Sequence, residues 1–361
     1  MRIIRPKPIA VGILAGATSL AFTAPPALAG QAPHHSSRLH VGKTISSDFV
    51  GPLQFAVAGR HILVADSFTS TLNVVGRSTP IATGPGNGGD LAGVAVDDHS
   101  GAIAYTTNNA DHSVTALTIL QRGRKPVVAD LSGFERKYNP DKVNHYGVDH
   151  PTQCVRNALN KLQIPVKYTG QLDSHAYSVT AIGHGDWAVA DAGGNDVLKV
   201  DRHGHVSLLS VLPRQPFKVT KAFAAANGLP SCAVGITYNF EPVPTDVEVG
   251  KYGGLYVTTL PGGTEAPGGA PGSVYRVGWH HAKRIATGFS GAVNLAIDRR
   301  GTIYVAEIFT GTIAKVSCGH PVEVGKVPSI VAIEYAHGRL YASTAPAATG
   351  GQGPGTIVEL R

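Results

Sequence analysis

One unit of apolar runs and turn residues recurs along the chain. Three copies align without a gap: "ILVADSFTSTLNVV" from residue 62, "WAVADAGGNDVLKV" from residue 187 and "IYVAEIFTGTIAKV" from residue 303. Further copies, with looser loops, start near residues 102, 255 and 340. A strand-like run precedes each copy, and another follows most of them. Each unit therefore predicts four consecutive strands separated by turns.

The spacing of the units indicates the fold. Apart from two insertions they lie roughly 37–50 residues apart, which is typical of β-propeller blades. Six units can be counted, and the last ends at Leu360 without a fourth strand, which "RLHVGKTIS" (38–46) can supply. We therefore predict an all-β, six-bladed β-propeller whose N-terminal strand closes the last blade. A β-sandwich is the alternative, but it would not repeat one unit without gaps.

The N-terminus has the organisation of a secretory signal peptide. Basic residues precede an apolar stretch, and "ALA" at 27–29 forms a small-x-small cleavage site. We predict a signal peptide at 1–29, a flexible leader at 30–37 and a single propeller domain at 38–361. The protein is then secreted and extracellular; a retained N-terminal anchor is the alternative.

The charge of the chain does not favour nucleic acid as a partner. Removal of the signal peptide lowers the formal charge from +7 to +4, and no Lys/Arg run with interleaved aromatic residues occurs. After cleavage no run approaches the ~20 apolar residues of a transmembrane helix. We expect a monomer.

Propeller topology predicts which polar residues meet at the channel. The first strand of each blade lines the channel, so the starts of first strands and the ends of second strands share one rim. Interior strand positions are apolar, whereas this rim is polar. The predicted ligand-binding residues at this channel mouth are Asp66, Asn108, Ser178, Asp191, Asp246, Thr259, Asn294 and Glu307. The structural alternative is that such residues cap turns by hydrogen bonding to nearby amides.

Three of these rim residues could bind a metal. Asp246, Asn294 and Glu307 come from adjacent blades and offer the hard oxygen ligands that Ca²⁺ prefers. Ca²⁺ at these residues is the one cofactor that the sequence suggests, and no cysteine spacing indicates zinc. His145, His150 and His175 could also contact a ligand, because an insertion carries them towards the mouth.

Two insertions, at 133–175 and 214–242, are predicted to cover the channel mouth. The first contains apolar residues at helical spacing, and the second contains an alanine-rich run. Both lie between consecutive blades on the rim face, so we expect two short helical lids. Cys154 and Cys232 lie one in each insertion, which predicts a disulfide between them in an oxidising compartment. Cys318 should then remain free.

Several segments resemble the ScyD/ScyE family of secreted actinobacterial and cyanobacterial proteins. They are "HPTQCVRNAL", "QLDSHAYSV", "NGLPSCAVGITYNFEPVPTDVEVG", "GSVYRV" and "ATGFSGAVNLAID". The resemblance, which runs from about residue 45 to the C-terminus, implies an NHL-like six-bladed propeller outside the cytoplasmic membrane. It implies no catalytic motif.

Two classes of function fit these features. The first is a secreted propeller that binds a small molecule, a glycan or a protein at its lidded mouth without catalysis. The alternative is a divalent-metal-dependent hydrolase or lyase of the gluconolactonase-like or streptogramin-lyase-like propeller type, in which a cation at the mouth polarises a carbonyl. No GxSxG or comparable motif favours catalysis, and propeller folds host both classes.

Overall fold

The computed structural model describes residues 38–262 and 269–361. The predicted signal peptide (1–29) and leader (30–37) lie outside the described residues. In this part of the chain no helix is both long enough and apolar enough to cross a membrane. Strands dominate, and they form antiparallel sheets of four, as expected for an all-β propeller.

The first elements of the described residues are β1 and two four-stranded sheets. Strand β1 spans Val41–Phe49. Sheet 1 contains β2 (Pro52–Ala58), β3 (His61–Asp66), β4 (Thr71–Val74) and β5 (Ala82–Thr83). Sheet 2 contains β6 (Asp90–Val96), β7 (Ile103–Asn108), β8 (Thr115–Leu120) and β9 (Val127–Asp130).

The middle of the chain contains the two insertions and sheet 3. The first insertion has α1 (Leu131–Tyr138), β10 (His145–Gly147), α2 (Gln153–Lys161) and β11 (Lys167–Thr169). Sheet 3 has β12 (Ala176–Gly183), β13 (Asp186–Asp191), β14 (Asp196–Val200) and β15 (Val206–Val211). The second insertion has β16 (Gln215–Lys218), α3 (Lys221–Ala226) and β17 (Thr237–Phe240).

The last three sheets follow without a further insertion. Sheet 4 has β18 (Pro244–Val249), β19 (Leu255–Thr259), β20 (Gly272–Gly278) and β21 (His281–Phe289). Sheet 5 has β22 (Ala292–Ile297), β23 (Ile303–Glu307), β24 (Thr312–Ser317) and β25 (His320–Lys326). Sheet 6 has β26 (Ile330–Ala336), β27 (Arg339–Thr344) and β28 (Gly355–Leu360), and β1 pairs antiparallel with β28 at its edge.

The first strands of the six sheets contact one another in chain order. β2 contacts β6, and the contacts continue through β12, β18, β22 and β26, which contacts β2 again. Apolar side chains fill the spaces between neighbouring sheets. Leu117 of sheet 2 packs in one cluster with Trp187 and Val189 of sheet 3, and all three are at least 99% buried. Each fully buried side chain of this size stabilises the fold by about 1.5–3 kcal/mol.

The two insertions fold together rather than as separate helical lids. Their strands form a seventh sheet among the described residues, the lid sheet, in the order β11-β10-β17-β16. Helix α2 starts after Thr152, whose side chain accepts the N–H of Val155, and Val155 and Leu159 are buried. The expected helices are therefore present. The sequence did not predict the sheet that joins the two insertions.

A disulfide links the insertions, as the sequence predicted. Cys154 of α2 is bonded to Cys232, which lies in the 3₁₀ turn Ser231–Ala233. Their Cα atoms are 6.5 Å apart, and the bond joins residues separated by 78 positions. Cys318 is free and exposed, as expected.

Candidate functional site

Two acids of the predicted rim are held by main-chain amides. Asp66 accepts the N–H groups of Val50 and Gly51 at 3.0 and 2.7 Å, in the link between β1 and β2. Asp191 accepts three main-chain N–H groups at 2.7–3.1 Å and the hydroxyl of Ser174 at 2.6 Å. Both side chains are at least 97% buried. These hydrogen bonds are those of strand-end caps.

Two further rim residues join neighbouring parts of the fold. Asn108 accepts the N–H of Ala176 at 3.0 Å and donates to Asp90 Oδ1 at 2.7 Å, which connects sheets 2 and 3. Thr259 Oγ1 accepts from Gln215 Nε2 at 2.5 Å. Because Gln215 lies on β16, this bond ties the lid sheet to sheet 4.

Four polar side chains, here called the girdle, meet across the channel axis. Asn294 Nδ2 donates to Gln54 Oε1 at 2.9 Å, and Gln54 Nε2 donates to a main-chain carbonyl of sheet 4 at 3.3 Å. Ser178 Oγ donates to Asp246 Oδ1 at 2.5 Å. None of the four is more than 4% exposed. Burial raises the pKa of Asp246 to about 6, although the hydrogen bonds from the Ser178 hydroxyl and the Leu295 N–H oppose this shift. The girdle therefore fills the channel at its level.

Sheet 2 contributes a glycine at the girdle level. A Cβ on Gly93 would lie 3.0 Å from the Cα of Ser178, so a side chain has no space there. The N–H of Gly93 donates to Thr106 Oγ1 at 2.8 Å.

An apolar plug closes the channel on the side of the predicted mouth. It is built from buried residues of the first strands, of the connection before β18 and of the loops after second strands. Its members are Leu53, Ala92, Tyr177, Ala192, Val243, Val331, Ala345 and Ala348. Each is at most 5% exposed. The girdle thus lies beneath a dry layer on this side.

The three residues expected to bind Ca²⁺ hydrogen bond to different partners. Asn294 Oδ1 accepts the N–H of Ile333 at 2.7 Å, and Glu307 Oε2 accepts the hydroxyl of Thr310 at 3.2 Å. Burial raises the pKa of Glu307. Asp246 is engaged in the girdle as described. The Ca²⁺ site at these positions stays a prediction.

The three histidines of the first insertion lie apart. His145 and His150 are exposed on the lid sheet and in the turn after it. His175 is 95% buried, stacks on His112 with ring centroids 4.5 Å apart, and its Nε2 lies 3.1 Å from Asp90 Oδ2. His175 contacts the predicted rim, because its N–H donates to Asp191 and its ring packs between sheets 2 and 3.

On the other side of the girdle the channel opens into a cavity of about 690 Å³. The ends of all six first strands, and the turns that follow them, line it. The lining residue of each first strand nearest to the girdle is Ala56, Val94, Thr180, Glu248, Ile297 or Glu334. This axial cavity lies at the end of the channel opposite to the predicted mouth.

Glu248 on β18 and Glu334 on β26 carry two carboxylates into the axial cavity. Each follows the girdle level by two residues, so both side chains face the axis. Both are half-buried. Burial, and then repulsion by Glu334, raises the pKa of Glu248 well above its ordinary value; burial and repulsion by Asp246 do the same for Glu334. The pair therefore favours a proton or another positive charge beside it.

Further charged residues line the axial cavity, and two of them accept hydrogen bonds within turns. Asp298 accepts the main-chain N–H groups of Arg300 and Thr302, both at 2.8 Å. Asp97 accepts the hydroxyl of Ser100 at 2.7 Å. The other acidic or basic side chains that line the axial cavity are Asp98, His99, Lys251, Arg299 and His337.

The sequence did contain a signal for the two glutamates. "TDVEV" and "IVAIEY" each place an acid inside the run predicted to be the innermost strand. An acid two residues after the girdle position on the same strand must face the channel. The rim prediction included strand ends only. The alternation of side chains between the two faces of the first strand identifies both glutamates.

No protein-family model matches the chain, and no curated protein matches it in sequence. The fold is similar to that of a PQQ-bound aldose sugar dehydrogenase from Streptomyces coelicolor, with 12% identity and a TM-score of 0.54 over 91% of this chain and 99% of that one. A putative glucose dehydrogenase from Thermus thermophilus gives 14% identity and a TM-score of 0.54 over 90% and 100%. A virginiamycin B lyase from Staphylococcus aureus gives 13% identity and a TM-score of 0.47 over 86% and 83%.

At these identities the likeness shows the β-propeller type of fold and nothing about activity. The ScyD/ScyE resemblance rests on the quoted segments alone and stays a prediction.

Proposed function

We propose that this chain is an exported six-bladed β-propeller that binds a small cationic molecule in its axial cavity. The observation that supports the proposal is the Glu248–Glu334 pair, which lines the axial cavity at its end next to the girdle. A cavity of about 690 Å³ falls within the ~300–1,000 Å³ of small-molecule sites.

The six sheets act as six blades in this proposal. Their first strands contact one another in chain order, and β1 pairs with β28 through registers from Val41↔Leu360 to Phe49↔Gly355. This pairing supports closure of the ring by the N-terminal strand. The signal-like N-terminus and the Cys154–Cys232 disulfide support export, because disulfides persist in oxidising compartments.

The charge of the ligand follows from the electrostatics of the pair. Burial, and then repulsion by Glu334, raises the free energy of ionising Glu248, while burial and repulsion by Asp246 raise that of Glu334. An ammonium group placed between them removes this repulsion and donates up to three hydrogen bonds. Ala56, Val94 and Ile297, together with the hydroxyl of Thr180, line the cavity beside the pair and can contact an uncharged part of the ligand.

The test uses glucosamine and spermidine as cationic probes and glucose as the uncharged match of glucosamine. We expect calorimetric binding of at least one cationic probe, no binding of glucose, and a loss of at least ~10-fold in affinity in E248Q/E334Q, equivalent to ~1.4 kcal/mol. Glu323→Gln, on the outer strand β25, is the matched control and should bind as the wild type does. Equal binding by E248Q/E334Q would refute the proposed site.

The enzymatic alternative depends on the same pair. Carboxylates with raised pKa values in a cavity are candidates for general acid–base catalysis. Catalysis of the metal-dependent hydrolase or lyase type is the second candidate function. It would appear as turnover of a lactone or ester probe that E248Q or E334Q alone abolishes without loss of probe binding.

A further inference from the structure

A second group of carboxylates is buried where the first insertion meets sheet 3. Glu135 lies on α1, and Asp141 lies in the 3₁₀ turn Pro140–Val143 that follows it. Asp191 and Asp196 flank the turn between β13 and β14. None of the four side chains is more than 4% exposed.

Several oxygens of this group have no hydrogen-bond partner among the residues that the structure describes. They are both carboxylate oxygens of Asp196, Oε1 of Glu135 and Oδ1 of Asp141. Buried polar atoms are nearly always paired, and a buried charge without a partner is costly. The charged groups that act on Asp196 are the other three carboxylates. Burial, and then repulsion by Asp191 and Asp141, raises the pKa of Glu135 to about 9. Burial, with repulsion by Glu241 and Asp191, raises the pKa of Asp141 to about 7.

Three of the four carboxylates converge on the turn at Gly194. Asp141 Oδ2 accepts from Asn195 Nδ2, one residue further along the chain, at 3.0 Å. The point where a Cβ on Gly194 would lie is 3.5 Å from Asp196 Oδ1 and 3.5 Å from Glu135 Oε2. The carboxyl carbon of Asp191 lies 3.4 Å from the same point. Glycine leaves this space free of side-chain atoms.

The β-sheet register shows that Asp196 is unusual. In sheet 3 it pairs with Asp191, the last residue of the second strand. The other five sheets carry a hydroxyl residue at this position: Thr71, Thr115, Ser273, Thr312 and Thr356. Sheet 3, which contacts both α1 and the acidic turn after it, thus has a carboxylate where the other sheets have a hydroxyl.

We propose that Glu135, Asp141 and Asp196 bind a divalent cation, with Ca²⁺ as the best match. The donor set is oxygen only, as Ca²⁺ prefers, and the unpaired amide oxygen of Asn139 adds a neutral donor next to Asp141. In the described part of the chain no three His, Cys, Asp or Glu side chains are already arranged to hold a metal ion. Binding therefore requires the carboxylates to draw together as the cation enters, and the bound cation would tie the first insertion to sheet 3.

The first test measures thermal stability of the exported protein after chelation and again with 1 mM CaCl₂. We expect Ca²⁺ to raise the Tm of the wild type by at least about 2 °C. Asp196→Thr, which installs the residue of the other sheets, should abolish the increase, and so should E135Q. Glu323→Gln, on the outer strand β25, is the matched control and should retain it. An increase that D196T keeps but E307Q or E248Q/E334Q loses would place the cation at the predicted rim or in the axial cavity and would overturn the proposal. No increase in the wild type, or a full increase in D196T, overturns the proposal.

The second test reports on the position of the cation and does not depend on stability. Tyr146 Oη lies 3.2 Å from Asp141 Oδ2, so Tb³⁺ bound in this group should show emission sensitised by the tyrosine. We expect sensitised emission from the wild type that excess Ca²⁺ removes, and at least a 5-fold weaker emission from D196T and E135Q. Equal emission from the wild type and both variants would place the ion elsewhere.

Discussion

At the scale of the residue, neighbouring groups decide what each acid does. Asp66 and Asp191 accept two or more main-chain N–H groups and serve as caps. Asp246 is two residues from Glu248 on the same strand, yet it is paired within the girdle whereas Glu248 faces the cavity. Carboxylate side chains in the same channel therefore stabilise the fold at some positions and are candidates for ligand binding at others.

The Glu248–Glu334 pair should make stability depend on pH. Both pKa values are raised in the folded state, by burial and by the carboxylates Asp246 and Asp98 as well as by the pair itself. The folded protein then binds more protons than the unfolded chain above pH ~4.5, so its stability falls as pH rises from there towards the folded pKa values. The basic side chains that line the same cavity are Lys251, in the turn after β18, and His99, Arg299 and His337.

We expect E248Q/E334Q to remove part of this fall. At pH 7 the double variant should be more stable than the wild type by at least ~1 kcal/mol, the free energy of a one-unit pKa shift being ~1.4 kcal/mol. At pH 4 the difference should vanish, because the wild-type glutamates are then protonated. Urea unfolding at both pH values measures the difference, and a double variant less stable at pH 7 would contradict the expectation.

At the scale of the element, the sequence predicted the repeated strands and missed the lid sheet. The six units have a strong signal because each strand alternates or is fully apolar, and each is flanked by turn residues. Strands β10 and β11 have three residues each, too few to show a period. The pairing of β10 with β17 joins Gly147 to Asn239, and no local pattern can indicate a contact over that distance in sequence.

The end of the channel at which the cavity lies was equally hidden from the sequence. The predicted rim is closed by the apolar plug, whose residues come from separate segments and look like ordinary strand and turn residues. Only the packing of the six sheets brings them together. The candidate acids Glu248 and Glu334 could have been found from strand phase, whereas the group around Asp196 required the first insertion to be placed.

The disulfide should stabilise the lid sheet more than the sheets of the ring. β10 and β17 share the register pair Gly147↔Asn239 and the bond from Asn239 Nδ2 to Gly147 O at 3.0 Å. Replacing Cys154 and Cys232 by serine should cost about 2–4 kcal/mol. We expect faster amide hydrogen exchange in β10, β17 and α2 with little change in sheets 1, 5 and 6. Cys318→Ser is the control; uniform acceleration across all sheets would show that the lid and ring unfold together.

At the scale of the whole molecule, the six sheets and the girdle are mutually dependent. The girdle joins side chains of sheets 1, 3, 4 and 5 across the axis, so loss of one sheet edge is transmitted to the others. β1 contributes Phe49 to an apolar cluster with Phe55 of sheet 1 and Ile357 of sheet 6. The N-terminal strand therefore completes sheet 6 and also packs against sheet 1.

Removal of residues 30–46 should accordingly destabilise the whole protein. The deletion removes most of β1, leaves the N–H and C=O groups of β28 unpaired at a sheet edge, and exposes apolar surface between sheets 6 and 1. We expect a loss of at least about 3 kcal/mol in urea unfolding, given ~1 kcal/mol for each of several lost hydrogen bonds, together with a tendency to aggregate. Deletion of 30–37 alone, which spares β1, is the matched control and should unfold like the full mature chain. If the 30–46 deletion also unfolds like the mature chain, β1 does not close the ring, and the proposed six-bladed closure must be abandoned.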